Sequence, residues 1–142
     1  PMSWTPDTAT AGFTTGKPFR AVSANVNRQN VQTQLGDSTS LHAYYKKLIA
    51  LRRTYPSLAR GSYEDARANG SVVSFKRTAR SETSLVAINY GSTSANVTFA
   101  GMPPNVTASA LYPRNADAAV SRSGELAIVV PERSIVVYAI RR

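Results

Sequence analysis

The stretch SVVSFKRTARSETSLVAINYG, residues 71–91, decides the fold. Its first part, Ser71–Thr78, alternates, with Val73 and Phe75 on one face and Val72 opposite. Its second part, Ser84–Tyr90, alternates again, with Leu85, Ala87 and Asn89 opposed to Val86, Ile88 and Tyr90. A period of two is the mark of a strand whose faces meet different surroundings. Asn69-Gly70 precedes the stretch and Gly91-Ser92 ends it, and both pairs favour turns. Further along, Val97 and Phe99 mark a strand over 95–99 and Ala108–Tyr112 a short one. Leu126–Val130 and Ser134–Ile140 are rich in β-branched residues and are split by Pro131-Glu132-Arg133. Gly101 to Pro104, Pro113-Arg114-Asn115 and Ser123-Gly124 punctuate the rest. Seven or eight short strands without intervening helices predict an antiparallel Greek-key β-sandwich over residues 61–142.

Upstream of this block the pattern changes. Residues 37–55 read as a helix, with Leu41, Tyr44, Tyr45, Leu48, Ile49, Leu51, Arg52 and Tyr55 forming a stripe at three- and four-residue spacing. Asp37 or Ser38 can cap the first turn, and Lys46, Lys47, Arg52 and Arg53 suit the C-terminal half of the dipole. Pro56 ends the helix. The stripe is broad, so a large layer is expected against it, with Tyr44, Tyr45 and Tyr55 in a core. Residues 1–36 have no periodicity and carry Pro1, Pro6, Gly12, Gly16, Pro18 and Gly36, which reads as one long ordered loop. The start, Pro1-Met2-Ser3-Trp4, leads us to expect a piece of a longer chain.

The 142 residues contain no cysteine, which excludes disulfides, cysteine metal sites and cysteine nucleophiles. No apolar run is long enough to span a membrane as a helix. Lys plus Arg is 17 and Asp plus Glu is 8, a formal charge of +9. The excess is spread over the chain, with no basic block and no platform of aromatic and basic residues. It reads as a solvated basic surface, and no nucleic-acid partner is expected.

Several stretches resemble the C-terminal part of glycoside hydrolase family 13 enzymes, the α-amylase and α-glucosidase group. Pro1-Met2-Ser3-Trp4 followed by Ala11-Gly12-Phe13-Thr14 resembles the segment after the eighth barrel strand of that family. Asn30-Val31-Gln32 with Gln34 resembles the stretch that follows it. Asp37 to Leu41 and Tyr44 to Arg53 are similar to its last barrel helix. Leu58 and Gly61-Ser62-Tyr63 resemble the link into its C-terminal β domain, domain C. Their order over about 60 residues makes the resemblance specific. It implies that residues 1–60 are the terminal loop and last helix of an incomplete (β/α)8 barrel, and that residues 61–142 are domain C. Loops at that end of a barrel build active sites.

Retaining glycoside hydrolysis needs two carboxyl groups about 5–5.5 Å apart. The resemblance implies that the catalytic carboxylates lie upstream of this segment, so no catalytic residue is assigned here. Asp7, Asp37, Glu64, Asp65, Glu82, Asp117, Glu125 and Glu132 are expected to be solvated or, for Asp37, a helix cap. His42 is the only histidine and is read as a packing or surface residue, so no metal site is assigned. No cofactor is expected in this segment, while family relatives make calcium an expectation for the complete enzyme. Trp4, Phe13 and Phe19 are candidates to offer aromatic faces to sugar rings at the cleft rim, and Arg20 to bond sugar hydroxyls. The implied partners are the N-terminal barrel portion, an α-glucan or maltooligosaccharide, and a second copy through the helix face. The resemblance favours an extracellular or periplasmic site. The alternative is an independent carbohydrate-binding or structural β-sandwich module, for which Tyr63, Tyr90, Tyr112 and Tyr138 lie on separate elements.

Overall fold

The computed structural model describes residues 1–141. The chain divides into two compact units, Pro1–Ala50 and Leu51–Arg142. No helix among the described residues is long and apolar enough to cross a membrane.

The first unit holds α1 (Val31–Leu35) and most of α2 (Leu41–Thr54). The loop expectation for residues 1–36 is corrected at α1, too short to show a periodicity. The second helix starts four residues later than its pattern predicts. Asp37 does not cap it. Its Oδ1 accepts the amide of Thr39 at 2.8 Å and the Thr39 hydroxyl at 2.6 Å, closing a turn ahead of the helix. Those bonds, the hydroxyl first, hold the Asp37 carboxyl below the usual aspartate range. Ser40 takes the cap instead, accepting the amide of Ala43 at 3.1 Å on its Oγ. The Gln34 side chain accepts the amide of His42 at 3.0 Å. Two helix-end donors are thereby satisfied. Lys46 and Lys47 are exposed on the same helix.

No residue of α2 is buried. Leu41, Tyr45 and Ile49 recur every four residues and are exposed by 63%, 58% and 55%. Tyr45, expected against a large layer, is open to solvent within this chain. Its ring meets Tyr44 edge-on at 6.1 Å. Pro56 ends α2 and also opens a further turn, α3 (Pro56–Arg60), because proline suits the first helical position.

The second unit is antiparallel β structure. Its strands are β1 (Ser62–Asn69), β2 (Val72–Ala79), β3 (Glu82–Asn89), β4 (Ala95–Phe99), β5 (Thr107–Tyr112), β6 (Ala118–Ala119), β7 (Leu126–Val130) and β8 (Ser134–Arg141). One sheet runs β1-β2-β3-β8-β5-β6, and β4 pairs with β7 in a second. The chain leaves the large sheet after β3 and inserts β8 between β3 and β5, a Greek-key path. Two strands escaped the sequence pattern. β1 is exposed along its whole length, so it shows no alternation. A polar edge of this kind resists pairing with other chains. β6 has two residues.

The alternation in β2 and β3 separates two apolar layers. Leu85, Ala87, Val136 and Ile140 face one layer with Val97, Phe99, Leu126, Ile128 and Val130 of the small sheet. Val86, Val137 and Ala139 face the other, where Leu51, Tyr55 and Leu58 pack. Thus β3 is buried on both faces, as its nearly continuous apolar run requires.

Two charged residues lie inside, against expectation for Glu82. Lys76 is 7% exposed. Its Nζ donates to the Ala100 carbonyl at 2.6 Å and pairs with Asp65. Asp65 sits where β1 bulges, with φ 48°. The Lys76 ammonium holds the Asp65 carboxyl below its ordinary range. Glu82 is also 7% exposed. Its Oε1 accepts the amide of Ser57 at 3.1 Å and the Ser57 hydroxyl at 2.6 Å, and its Oε2 accepts Arg141 Nε at 3.1 Å.

Candidate rim loop and its frame

The candidate site of the first unit is the loop before α2. Asp7 organises its first turn. Its carboxylate accepts the amides of Ala9 at 3.0 Å and Thr10 at 3.1 Å, and the Thr10 hydroxyl. That hydroxyl, and next the Ala9 amide, depress the Asp7 pKa. Asp7 is thus a turn-former, consistent with its side chain bonding its own backbone two and three residues on. The amides of Trp4 and Thr5 both donate to the Ala11 carbonyl, at 2.8 and 3.1 Å. Ala11 is fully buried with φ 54°, and Gly12 follows with φ 64°. A Cβ on Gly12 would meet Thr5 Oγ1 at 2.9 Å, so glycine answers both the conformation and the space.

This turn is tied to α1. The amides of Val31 and Gln32 donate to the carbonyls of Ser3 and Trp4, each at 2.9 Å. Asn30 Oδ1 accepts the Thr33 amide at 2.9 Å, and Asn30 Nδ2 donates to the Val26 carbonyl at 2.8 Å. Asn30 is 2% exposed. The first three amides of α1 are therefore satisfied, two by the loop and one by its cap. Replacing Asn30 by alanine strips the cap and leaves the Val26 carbonyl without this donor. We expect a loss of roughly 1–2 kcal/mol in the first unit, with faster amide hydrogen exchange at Val31–Thr33 than elsewhere.

The structure sorts the four candidates. Trp4 and Phe13 both belong to the Asp7–Ala11 turn, because Trp4 is bonded to Ala11 and the Phe13 amide to the Thr10 carbonyl at 2.9 Å. Trp4 is 47% exposed and Phe13 56%. Phe19 is fully exposed and Arg20 is exposed. Among the described residues, no backbone group from 14 to 22 bonds another backbone group. A firm frame therefore carries Trp4 and Phe13, and a looser stretch carries Phe19 and Arg20.

Among the described residues, seven of the eight carboxylates hold hydrogen-bond or ion-pair partners. Besides Asp7, Asp37, Asp65 and Glu82, Glu64 accepts from Ser62 and Thr78, Asp117 from the Ala110 amide, and Glu125 from Ser123. Except at the buried Glu82, their bonds are those of turns and strand edges. No group of three or more metal-ligating side chains occurs among the described residues.

The frame residues sequence reasoning did not assign are Asn30, Gln34 and Ser40. Asn30 and Gln34 stood within the quoted motif, and the spacing of Asn30 to Thr33 is that of an N-cap. Gln34 acts across eight residues, and no local signal marks it.

Residues 1–61 match the family model described as "Alpha amylase, catalytic domain". The chain is 34% identical to a probable oligo-1,6-glucosidase 3 of Bacillus subtilis over 104 residues, 72% of this chain and 19% of that protein. It is 37% identical to trehalose-6-phosphate hydrolase of Escherichia coli, over 63% of this chain and 16% of that one. The trehalulose synthase MutB from Pseudomonas mesoacidophila MX-45 superposes with a TM-score of 0.77 at 30% identity, covering 98% of this chain and 24% of that structure. The chain thus spans about a sixth to a quarter of the length of these relatives.

Proposed function

Since this chain matches the C-terminal part of glycoside hydrolase family 13 enzymes, we propose that it serves as that portion of an α-amylase-like or α-glucosidase-like enzyme acting on α-glucans. Residues 1–36 shape part of the cleft rim, α2 is the last barrel helix, and the β-sandwich stabilises the barrel. The observation that carries this reading is the pairing of two features in residues 1–61. They match a catalytic-domain model, and they present Met2, Leu35, Leu41, Tyr45 and Ile49 to solvent. An exposed apolar set of that size calls for a covering surface. The missing catalytic carboxylates then come from the barrel portion.

In the rim, the Asp7 turn fixes Trp4 and Phe13 so that their faces can pack on the apolar C–H surface of a sugar. Arg20 supplies donors to sugar hydroxyls from the looser stretch. Self-association of the chain alone would use Leu41, Tyr45 and Ile49.

Complementation tests the proposal. The chain is co-expressed with the barrel portion of an oligo-1,6-glucosidase that lacks its own C-terminal stretch. We expect co-purification and hydrolysis of an α-glucoside by the pair, and no turnover by either part alone. In the active pair, Trp4→Ala and Phe13→Ala are expected to raise KM more than they lower kcat. Absence of both complex and activity overturns the reading.

A further inference from the structure

The β3–β4 and β7–β8 turns of the β-sandwich meet beside the start of β2. A depression of about 490 Å³ opens there, lined among others by Ser71, Tyr90, Gly91, Ser92, Thr93 and Arg133. Three separate segments meet at it: the start of β2, the β3–β4 turn and the β7–β8 turn. One buried side chain ties two of them together. Asn89 is 2% exposed, and its Nδ2 donates to the carbonyls of Thr93 at 2.8 Å, Pro131 at 3.1 Å and Val130 at 3.2 Å. Its Oδ1 accepts the Gly91 amide at 2.8 Å. Backbone bonds complete the frame. The Tyr90 amide donates to the Ser71 carbonyl at 2.9 Å, and the Arg133 amide to the Gly91 carbonyl at 3.0 Å. Arg133 sits in the left-handed region, φ 46°, in the turn between β7 and β8.

On this frame Tyr90 is 70% exposed. It is the last residue of the alternating run that β3 ends, and it follows Asn89 directly. An exposed tyrosine that lines one depression with Ser71, Ser92, Thr93 and Arg133, next in the chain to a buried amide that fixes the backbone, is a preorganised surface. It offers an apolar face for stacking and donors around it. Among the described residues, no carboxylate lines the depression.

We propose that this depression binds a neutral saccharide, with Tyr90 as the stacking platform and Arg133, Ser71, Ser92 and Thr93 bonding its hydroxyls. The site belongs to the β-sandwich alone and does not depend on the rim reading. It takes glycosyl units without cutting them and so acts as an anchor; that these units belong to an α-glucan rests on the proposed function. Such a site raises the local concentration of chain ends through a second contact.

The test is titration of the whole ¹⁵N-labelled chain with maltotriose, with cellotriose and inorganic phosphate as parallel arms. We expect saturable amide shifts centred on Tyr90 to Thr93 and Arg133. Tyr90→Ala should weaken the binding at least about tenfold, while Tyr90→Phe should retain it. Arg133→Ala should weaken it to a lesser degree. Asn89 is left untouched, since its loss would disturb the fold. Shifts confined to Trp4 and Phe13 would overturn this site and leave the rim proposal standing. Binding of phosphate without maltotriose, or unchanged affinity in Tyr90→Ala, would overturn it as well. Preference for maltotriose over cellotriose places it among α-glucan sites, and equal binding still supports a saccharide site.

Discussion

Glu82→Ala is expected to unfold the second unit at markedly milder conditions than the native chain. The carboxylate does three things at once. It accepts the Ser57 amide and hydroxyl, and it receives the Arg141 guanidinium. Ser57 is fully buried and sits in the first turn of α3, where amides lack helical acceptors. Glu82 thus caps α3 from a neighbouring strand, and Ser84 closes the set with an Oγ–Oγ distance of 2.6 Å to Ser57. In the alanine variant the Ser57 amide is buried without a partner, while its hydroxyl keeps Ser84. A buried donor left unsatisfied costs about 1–3 kcal/mol, and loss of a bond to a charged acceptor is at the upper end. We expect a total near 2–4 kcal/mol, a drop in Tm of about 10–20 °C for a unit of this size. The measurement is urea unfolding followed by circular dichroism. Glu82→Gln keeps an acceptor for Ser57 and should lose less. Arg141→Ala should lose less again, since the Arg141 side chain is 63% exposed and the pair is screened by water. Its guanidinium also lies over the Tyr55 ring at 5.0 Å, which contributes to the same corner. Equal effects of the alanine and glutamine variants would refute the cap.

The second large effect is expected at Gly61, which joins α3 to β1. Its φ of −64° suits any residue, so conformation does not require glycine there. Space does. A Cβ at this position would overlap the Ser57 carbonyl and stand 3.0 Å from the amide and the carbonyl of Thr78. These are backbone atoms, which cannot swing aside as a flexible side chain can. The Gly61 amide also donates to the Ser57 carbonyl at 2.9 Å, and its own carbonyl receives Arg77 Nη2 at 2.7 Å. Gly61→Ala must therefore pull α3 away from β2 or break that bonding. The expected cost is about 1–3 kcal/mol, as for overpacking in a closed interior. Gly70→Ala is the control, because a Cβ there meets nothing and only the left-handed φ of 55° opposes it. A smaller loss at Gly61 than at Gly70 would contradict the close approach.

Both effects share a location. Ser57, Gly61, Glu82, Ser84 and Arg141 gather where α3 meets the large sheet. The quoted link residues Leu58 and Gly61 belong to this corner, so the motif owes its residue types to packing there. Leu58 joins the apolar layer of Val86, Val137 and Ala139.

The legible features were those whose cause is local. The alternation in β2 and β3, the β-branched runs of β7 and β8, and the glycine- and proline-marked turns led directly to an antiparallel sandwich. The apolar stripe led to α2. The β2–β3 turn was not marked, because Arg80-Ser81 has no glycine, proline, asparagine or aspartate although Arg80 takes φ 56°. In the rim loop, the aromatics were legible as residue types. Their separation into a framed pair and a loose pair was not, since it depends on bonds from residues 3 and 4 to residues 31 and 32.

The amino-acid sequence by itself determined the class of fold, the place of the long helix and the resemblance to family 13 enzymes. Periodicity and turn chemistry act within a few residues, and motif order survives without any structure. Only the tertiary structure decided that Ser40 and not Asp37 caps α2, that Glu82 and Lys76 lie inside, and that Tyr90 stands open beside Arg133. The burial of Glu82 and Lys76 depends on which distant backbone groups are brought within hydrogen-bond range. A carboxylate at a strand start looks solvated in one dimension, and it becomes buried when a helix end 25 residues earlier supplies its donors.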